Sequence, residues 1–248
     1  MKKHILIAFI LFMNIFFTLN AQITRVTYKK DYNDPEASVN YLKENKEKLP
    51  QYALDIVKKT LEKMLKEEFE LIYDKTKSIY QKIQVLSTND DNTSGYPSDT
   101  DNIYFKDLET KEKIFQSQQT GTTTNVEVDF EQYKWEITTE NKLINGYKCF
   151  KAKTIIIGFN RVKKEEIILN RIAWFTPEIA SSFGPQGFDG LPGLVLETAE
   201  NDKVYLHATK IEFDCKKEIE KPKCNKTISH KEFKEIVDGN FQKILDEN

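Results

Sequence analysis

The stretches "YKCFKAKTIIIGF" (Tyr147–Phe159) and "EEIILNRIAWF" (Glu165–Phe175) decide the fold. Both are rich in β-branched and aromatic residues, and the short polar stretch "NRVKK" (160–164) separates them. Two such runs with a short connection predict an antiparallel hairpin, because parallel strands need a crossover of a dozen or more residues. Similar runs with short turns between them continue on both sides, and they predict one large antiparallel sheet.

Two stretches break this β pattern and predict helices. Between Pro50 and Lys66, apolar residues recur at every fourth position while Lys and Glu fill the opposite face. Near the C-terminus, Ser229 and Glu232 have capping-box spacing ahead of a second amphipathic stretch. We therefore predict an α+β protein dominated by a curved, half-barrel or bowl-like antiparallel sheet, with an N-terminal amphipathic helix and a short C-terminal helix.

The first 21 residues have the layout of a signal peptide. A basic start precedes an apolar run from Ile5 to Leu19, and Ala21 offers a small residue for cleavage. The run is shorter than the roughly 20 residues that a membrane-spanning helix needs. We expect an exported protein of the periplasm or cell surface, with one domain over 22–248 and no transmembrane segment in the mature chain.

Charge and cysteine content narrow the classes of partner. The 37 basic and 39 acidic residues are close to balance, which argues against a nucleic-acid partner. In an oxidising compartment, Cys215 and Cys224 are candidates for a disulfide across a turn at Pro222, which leaves Cys149 unpaired. A zinc site from these cysteines and His230 lacks any C-x-x-C pair, so we predict no metal and no cofactor.

The segment "GPQGFDGLPGLVLE" (184–197) has glycine at every third position over a short span. Three triplets cannot hold a collagen triple helix together, and globular sequence lies on both sides. A phosphate-binding loop would precede a helix, whereas a strand follows here and two prolines remove N–H donors. We interpret the segment as a long, rigid connection between two strands.

Particular residues would build this connection. Thr176 and Pro177 are a helix-start signal that predicts one helical turn as far as Ser182. Apolar side chains of the connection would pack onto the sheet, with Trp174 and Phe175 beneath. The residues predicted to form the structural loop are Thr176, Pro177, Gly184, Gly187, Gly190, Pro192 and Gly193.

These residues are consistent with three kinds of functional site. A triad of Ser181 or Ser182 with His207 and Asp189 lacks a nucleophile-elbow motif. A hydrolase could use paired carboxylates from Glu178, Asp189 and Glu197, and aromatic residues could instead line a ligand cleft. We name no catalytic residue and predict a ligand- or partner-binding set: Trp174, Phe175, Glu178, Phe183, Phe188, Asp189, Leu191 and His207. A turn at 200–203 would place Leu196 opposite His207 and Thr198 opposite Tyr205.

The segments "KWEITTENKLINGYKCFKA" (134–152) and "AWFTPEIASSFGPQGFDGLPGLVLE" (173–197) resemble the signature of the GLPGLI family of exported bacterial proteins. The hexapeptide that gives the family its name is similar to 190–195, with Val195 as the final residue. The resemblance covers about 130–197 and implies a secreted antiparallel domain without an agreed catalytic residue. More distantly, the family looks like the bowl-shaped N-terminal domain attached to some bacterial peptide-N-glycosidases.

These observations favour a binding protein over an enzyme. We expect a non-enzymatic protein of the cell envelope that binds a lipid, a glycan or an envelope protein. A hydrolase that uses carboxylates of the glycine-rich segment and a glycosidase-accessory domain are the alternatives.

Overall fold

A computed structural model describes residues 22–31, 40, 51–84, 101–160, 165–200 and 204–246. The strands are β1 (Thr24–Asp31), β2 (Glu68–Tyr73), β3 (Lys77–Lys82), β4 (Ile103–Asp107), β5 (Glu112–Ser117), β6 (Thr124–Glu127), β7 (Glu136–Ile144), β8 (Tyr147–Asn160), β9 (Glu165–Thr176), β10 (Leu194–Glu200), β11 (Val204–Glu212) and β12 (Thr227–Ser229). The helices are α1 (Gln51–Lys66) and α2 (His230–Asp246). The predicted signal peptide and most of the connection between β8 and β9 lie outside the described residues.

All twelve strands belong to one open sheet in the order β12-β6-β5-β4-β3-β2-β1-β11-β10-β9-β8-β7. Neighbouring strands are antiparallel except β12 and β6, which are parallel. The antiparallel prediction is therefore confirmed. The fold class is predominantly β rather than α+β, and the predicted half-barrel is corrected to an open sheet, because β12 and β7 lie at opposite ends.

The centre of the sheet carries the main core. Strict alternation in β1 and β2 sends Val26, Tyr28, Phe69 and Leu71 to one face, where all four are buried. The Tyr28 hydroxyl donates a hydrogen bond of 2.6 Å to the Val195 carbonyl, so a polar atom buried in this core is satisfied. These contacts join the N-terminal strand to the strand that follows the glycine-rich segment.

The two helices lie where the periodicity predicts them. Leu54 of α1 is buried, and α1 contacts β1. At the start of α2, the Glu232 N–H donates to the Ser229 hydroxyl at 3.2 Å, which is half of the predicted capping box. Phe233 and Val237 of α2 then pack on β5 and β6.

Residues 215–226, which we call the strap, run across the sheet and correct the predicted disulfide. The Cys215 N–H donates to Ile23 before β1, and the Cys224 thiol donates to Thr123 before β6. Five strand spacings separate β1 from β6, about 24 Å, whereas a disulfide needs Cα atoms within about 7 Å. All three cysteine thiols are free.

Strands β8 and β9 extend beyond their neighbours. Strand β7 pairs with β8 as far as Lys153, and β10 pairs with β9 only from Arg171 onward. Residues 155–160 and 165–170, which we call the outer hairpin, pair only with each other in the part of the chain that the structure describes. Three isoleucines there are 65–66% exposed: Ile155, Ile157 and Ile168.

Candidate functional site: the glycine-rich loop and the Trp174 row

Residues 177–193, the glycine-rich loop, lie flat on the sheet. Phe183, Phe188 and Leu191 are at most 4% exposed. Phe183 enters the core cluster of β1 and β2, whereas Phe188 and Leu191 enter a second cluster with Phe175. The loop therefore joins two parts of the core, and these side chains are covered by protein.

The local conformation of the loop depends on a close approach of two backbone segments. A Cβ atom on Gly193 would lie 2.2 Å from the Thr176 carbonyl oxygen, so only glycine fits there. The predicted helical turn between Pro177 and Ser182 is not formed. Thr176 instead accepts a hydrogen bond from the Glu178 N–H at 3.3 Å, and the loop has a short 3₁₀ turn at Pro185–Gly187.

Asp189 is held between two buried lysines of the sheet. Its carboxylate oxygens lie 2.8 Å from the Lys106 ammonium and 2.9 Å from the Lys113 ammonium. Burial lowers the pKa of Lys113, and the nearby Asp189 charge opposes this shift. Both oxygens of Asp189 are bound by lysines. The carboxylate therefore does not orient His207 in a triad, and this geometry does not support a hydrolytic role for it.

A second layer covers the outer side of the loop. The Trp135 indole N–H donates to the Asp189 carbonyl at 2.8 Å. The rings of Tyr133 and Trp135 contact Phe188, and the Arg171 guanidinium lies 5.0 Å from the Phe188 ring centre. The cavity beside the loop measures only about 10 Å³, so the loop does not line a ligand-sized cleft there.

Four side chains instead form a row across the sheet, which we call the Trp174 row. Lys151 of β8 lies opposite Trp174 of β9, which lies opposite Glu197 of β10, which lies opposite His207 of β11. Directly opposed residues of antiparallel strands share a face, so the four side chains are neighbours. All four are partly exposed.

A β-bulge in β10 creates this row. Val195 lies opposite the buried Phe175, and the register then shifts so that Glu197 lies opposite Trp174. In an unbroken strand, residues 195 and 197 would point to the same face. The bulge therefore turns Glu197 away from the core and towards the Trp174 indole.

Charged groups surround the indole. The Lys142 ammonium lies 4.3 Å from the Trp174 ring centre and 2.7 Å from a Glu197 oxygen. The Lys151 ammonium lies 5.9 Å from the same ring centre and 2.9 Å from a Glu140 oxygen. The row thus combines one large aromatic ring with several hydrogen-bond donors and acceptors at an accessible surface.

The structure divides the predicted binding set. Trp174 and His207 belong to the row, whereas Phe175 is buried and Glu178 is exposed elsewhere, accepting a hydrogen bond from the Lys148 N–H. The predicted register was wrong by one residue, because Glu197 rather than Leu196 lies opposite His207. Sequence reasoning missed the contributions of Lys142 and Lys151 to the row.

Among the described residues, no three His, Cys, Asp or Glu side chains are grouped so that they could hold a metal ion. No described helix has the length and apolar character needed to cross a membrane.

The protein is a β domain with a large open antiparallel sheet, a loop packed on that sheet and the Trp174 row across it. Comparisons with known proteins identify the family of this domain. Residues 74–238, more than half of the chain, match the family described as N-glycanase peptide, N-terminal domain. The protein belongs to this family. The resemblance to the bowl-shaped domain of peptide-N-glycosidases is thereby supported, whereas membership of the GLPGLI family is not shown.

Solved structures agree on the fold. PNGF-II in space group C2 matches 88% of this chain with a TM-score of 0.52 and 15% identity. PNGF-II in space group P21 matches 88% with a TM-score of 0.50 and the same identity. The chain spans only 33% of the length of either structure. No curated protein matches the chain.

Proposed function

We propose that the protein is an exported, non-enzymatic binding protein of the cell envelope whose ligand is a carbohydrate. It would comprise a signal peptide at 1–21 and one domain over 22–248. Membership of a family named for the N-terminal domain of an N-glycanase supports a glycan as ligand. The same family name supports the alternative of a glycosidase-accessory domain.

The Trp174 row is the observation that carries this proposal. The apolar face of a sugar ring can stack on the Trp174 indole, while hydroxyl groups exchange hydrogen bonds with lysine and carboxylate side chains. The Lys142 ammonium lies over the indole and is bound to Glu197, and the Lys151 ammonium lies 5.9 Å from the same ring centre.

The carboxylates that a hydrolase would need have other partners. Asp189 is bound by two lysines, Glu197 by Lys142, and Glu178 by the Lys148 N–H. A general acid needs contact with the substrate and a poised pKa, and the burial of Asp189 prevents contact. The geometry therefore favours binding over turnover.

The test is calorimetric titration of the purified protein with an N-glycopeptide and with the same peptide after glycan removal. We expect binding only of the glycosylated peptide. Trp174→Ala should weaken this binding about tenfold or more, because the stacking surface is lost. Phe213→Ala is the matched control, since Phe213 is an aromatic residue 46% exposed outside the row.

Several outcomes would contradict the proposal. Equal affinity for both peptides would assign the binding to a protein ligand rather than to the glycan. Equal weakening by Trp174→Ala and Phe213→Ala would remove the row as the binding surface. Release of the free glycan during the titration, abolished by Glu197→Gln, would establish a hydrolase instead.

A further inference from the structure

The outer hairpin continues the face of the sheet that carries the Trp174 row. The register between β8 and β9 is unbroken, so every second opposed pair lies on this face. Starting from the row, these pairs are Lys151 with Trp174, Lys153 with Ile172, Ile155 with Asn170, and Ile157 with Ile168. Successive pairs on one face are about 7 Å apart, which places the row and the exposed isoleucines within about 20 Å of each other.

Ile155, Ile157 and Ile168, which we call the isoleucine patch, form an apolar area that the described residues leave uncovered. Each side chain is 65–66% exposed, whereas Ile156 and Leu169 on the other face of the same hairpin are half-buried. A solvated face of an antiparallel sheet normally has polar side chains. Several exposed isoleucines on neighbouring strands therefore indicate a surface that contacts another body.

The size of the patch decides which kind of partner fits it. Two strands about 4.8 Å apart, with six residues each, present roughly 200 Å² on one face. A stable dimer buries about 800 Å² of each partner, so a second copy bound through this patch alone would be held weakly. A lipid surface needs no such area, because each apolar side chain that enters it adds its own transfer free energy.

Polar groups flank the patch at both ends. Lys153 is exposed at one end, and Glu166, two residues from Ile168, is exposed at the other. Trp174 lies beyond Lys153, and tryptophan is typical of the headgroup level of membranes because its ring is apolar and its N–H is polar. This order of side chains suits a hairpin that lies along a membrane surface, with the isoleucines at the boundary of the acyl chains.

We propose that this face docks on a membrane and that its ligand is a glycolipid. The isoleucine patch contacts the acyl chains, and the sugar headgroup binds to the Trp174 row. This inference rests on the proposed function, because the row must bind carbohydrate, and it narrows the ligand to glycans that a lipid carries. Lys142 is paired with Glu197 and Lys151 with Glu140, so the contact does not require an anionic lipid.

The test is co-sedimentation of the purified protein with phosphatidylcholine vesicles. One set of vesicles carries the glycan of the N-glycopeptide coupled to phosphatidylethanolamine, and the other set lacks the glycan. The free N-glycopeptide is titrated in parallel. We expect the glycolipid vesicles to be bound about tenfold more tightly than the free glycopeptide, because the isoleucines add apolar contacts.

Variants separate the patch from the row. The double variant Ile155→Thr and Ile157→Thr keeps the β-branched shape and removes apolar surface. Its affinity for the glycolipid vesicles should fall about tenfold, to that of the free glycopeptide, while its affinity for the free glycopeptide stays unchanged. Ile137→Thr is the matched control, since Ile137 is 50% exposed but lies opposite Ala152 on the other face. This control should bind the glycolipid vesicles as the wild type does.

The outcomes distinguish this inference from the proposed function. Equal affinity for the glycolipid vesicles and the free glycopeptide, or unchanged vesicle binding by the double variant, would overturn the inference and leave the proposed function intact. Equal binding of vesicles with and without the glycan would assign the face to lipid alone and overturn the glycolipid. A dimer in analytical ultracentrifugation that the double variant dissociates would assign the patch to a second copy instead. Failure to bind the free glycopeptide would contradict the proposed function itself.

Discussion

The glycine-rich loop has almost no regular structure yet is buried, whereas the outer hairpin is regular β-structure yet exposed. In the loop, Phe183, Phe188, Leu191 and the ion-paired Asp189 are buried against the sheet, and Trp135 covers the outer side. In the outer hairpin, every described residue pair keeps the same antiparallel register, but Ile155, Ile157 and Ile168 are exposed to solvent. Burial in this protein therefore follows from the layers that cover a segment, not from the regularity of its backbone.

Among changes in the two regions, glycine substitutions in the loop should lower the free energy of unfolding most. Gly193→Ala places a Cβ 2.2 Å from a backbone oxygen that cannot rotate away. We expect a loss of more than about 4 kcal/mol in the free energy of unfolding, measured by denaturant titration. Gly190→Ala is the control, because φ is +87° there but no atom lies within 4 Å, and about 1–2 kcal/mol is expected.

Removing the charge of Asp189 should lower the free energy of unfolding by nearly as much. Asp189→Asn leaves two buried ammonium groups close to each other without a counter-charge, and we expect a loss of about 3–5 kcal/mol. The same measurement on Glu140→Gln, which breaks a more exposed pair with Lys151, should show at most about 1 kcal/mol. Similar losses in both variants would mean that the Asp189 cluster does not fasten the loop.

Matched aliphatic truncations compare the regions directly. Leu191→Ala removes buried atoms from the loop and should cost about 2–5 kcal/mol. Ile157→Ala removes the same number of carbon atoms from an exposed position of the outer hairpin and should change stability by less than about 0.5 kcal/mol. A large loss in Ile157→Ala would show that another surface covers the hairpin in solution.

The strap provides a smaller, pH-dependent effect on the opposite face of the sheet. Burial alone would raise the pKa of Glu70, but hydrogen bonds from Lys217 and Gln81 and the charge of Arg25 lower it. Because the pKa is lower in the folded state, Glu70 stabilises the protein above its unfolded pKa of about 4.3, and this contribution is lost as pH falls through the folded pKa. Glu70→Gln should therefore flatten the acid side of a plot of stability against pH.

The sequence predicts the local elements of this fold better than the relations between them. Alternation and capping are local patterns, so the paired strands β8 and β9 and the start of α2 at Ser229 could be read directly. The bulge beside Leu196 has no comparable signal, since it depends on how β9 and β10 pack, and the register at His207 was missed as a result. The disulfide was wrong because the course of the strap is set by distant partners such as Glu70 and Asn125.

The position of β1 in the strand order has a consequence for how the chain is made. Strand β1 comes first along the chain, but it lies between β2 and β11 in the sheet. Arg25 and Glu212 are directly opposed although 187 positions separate them. During synthesis one edge of β1 therefore remains open until β11 has been made, and closing so long a loop is slow. Strand β1 is made before β11, and its second edge is paired only after β11 has been made.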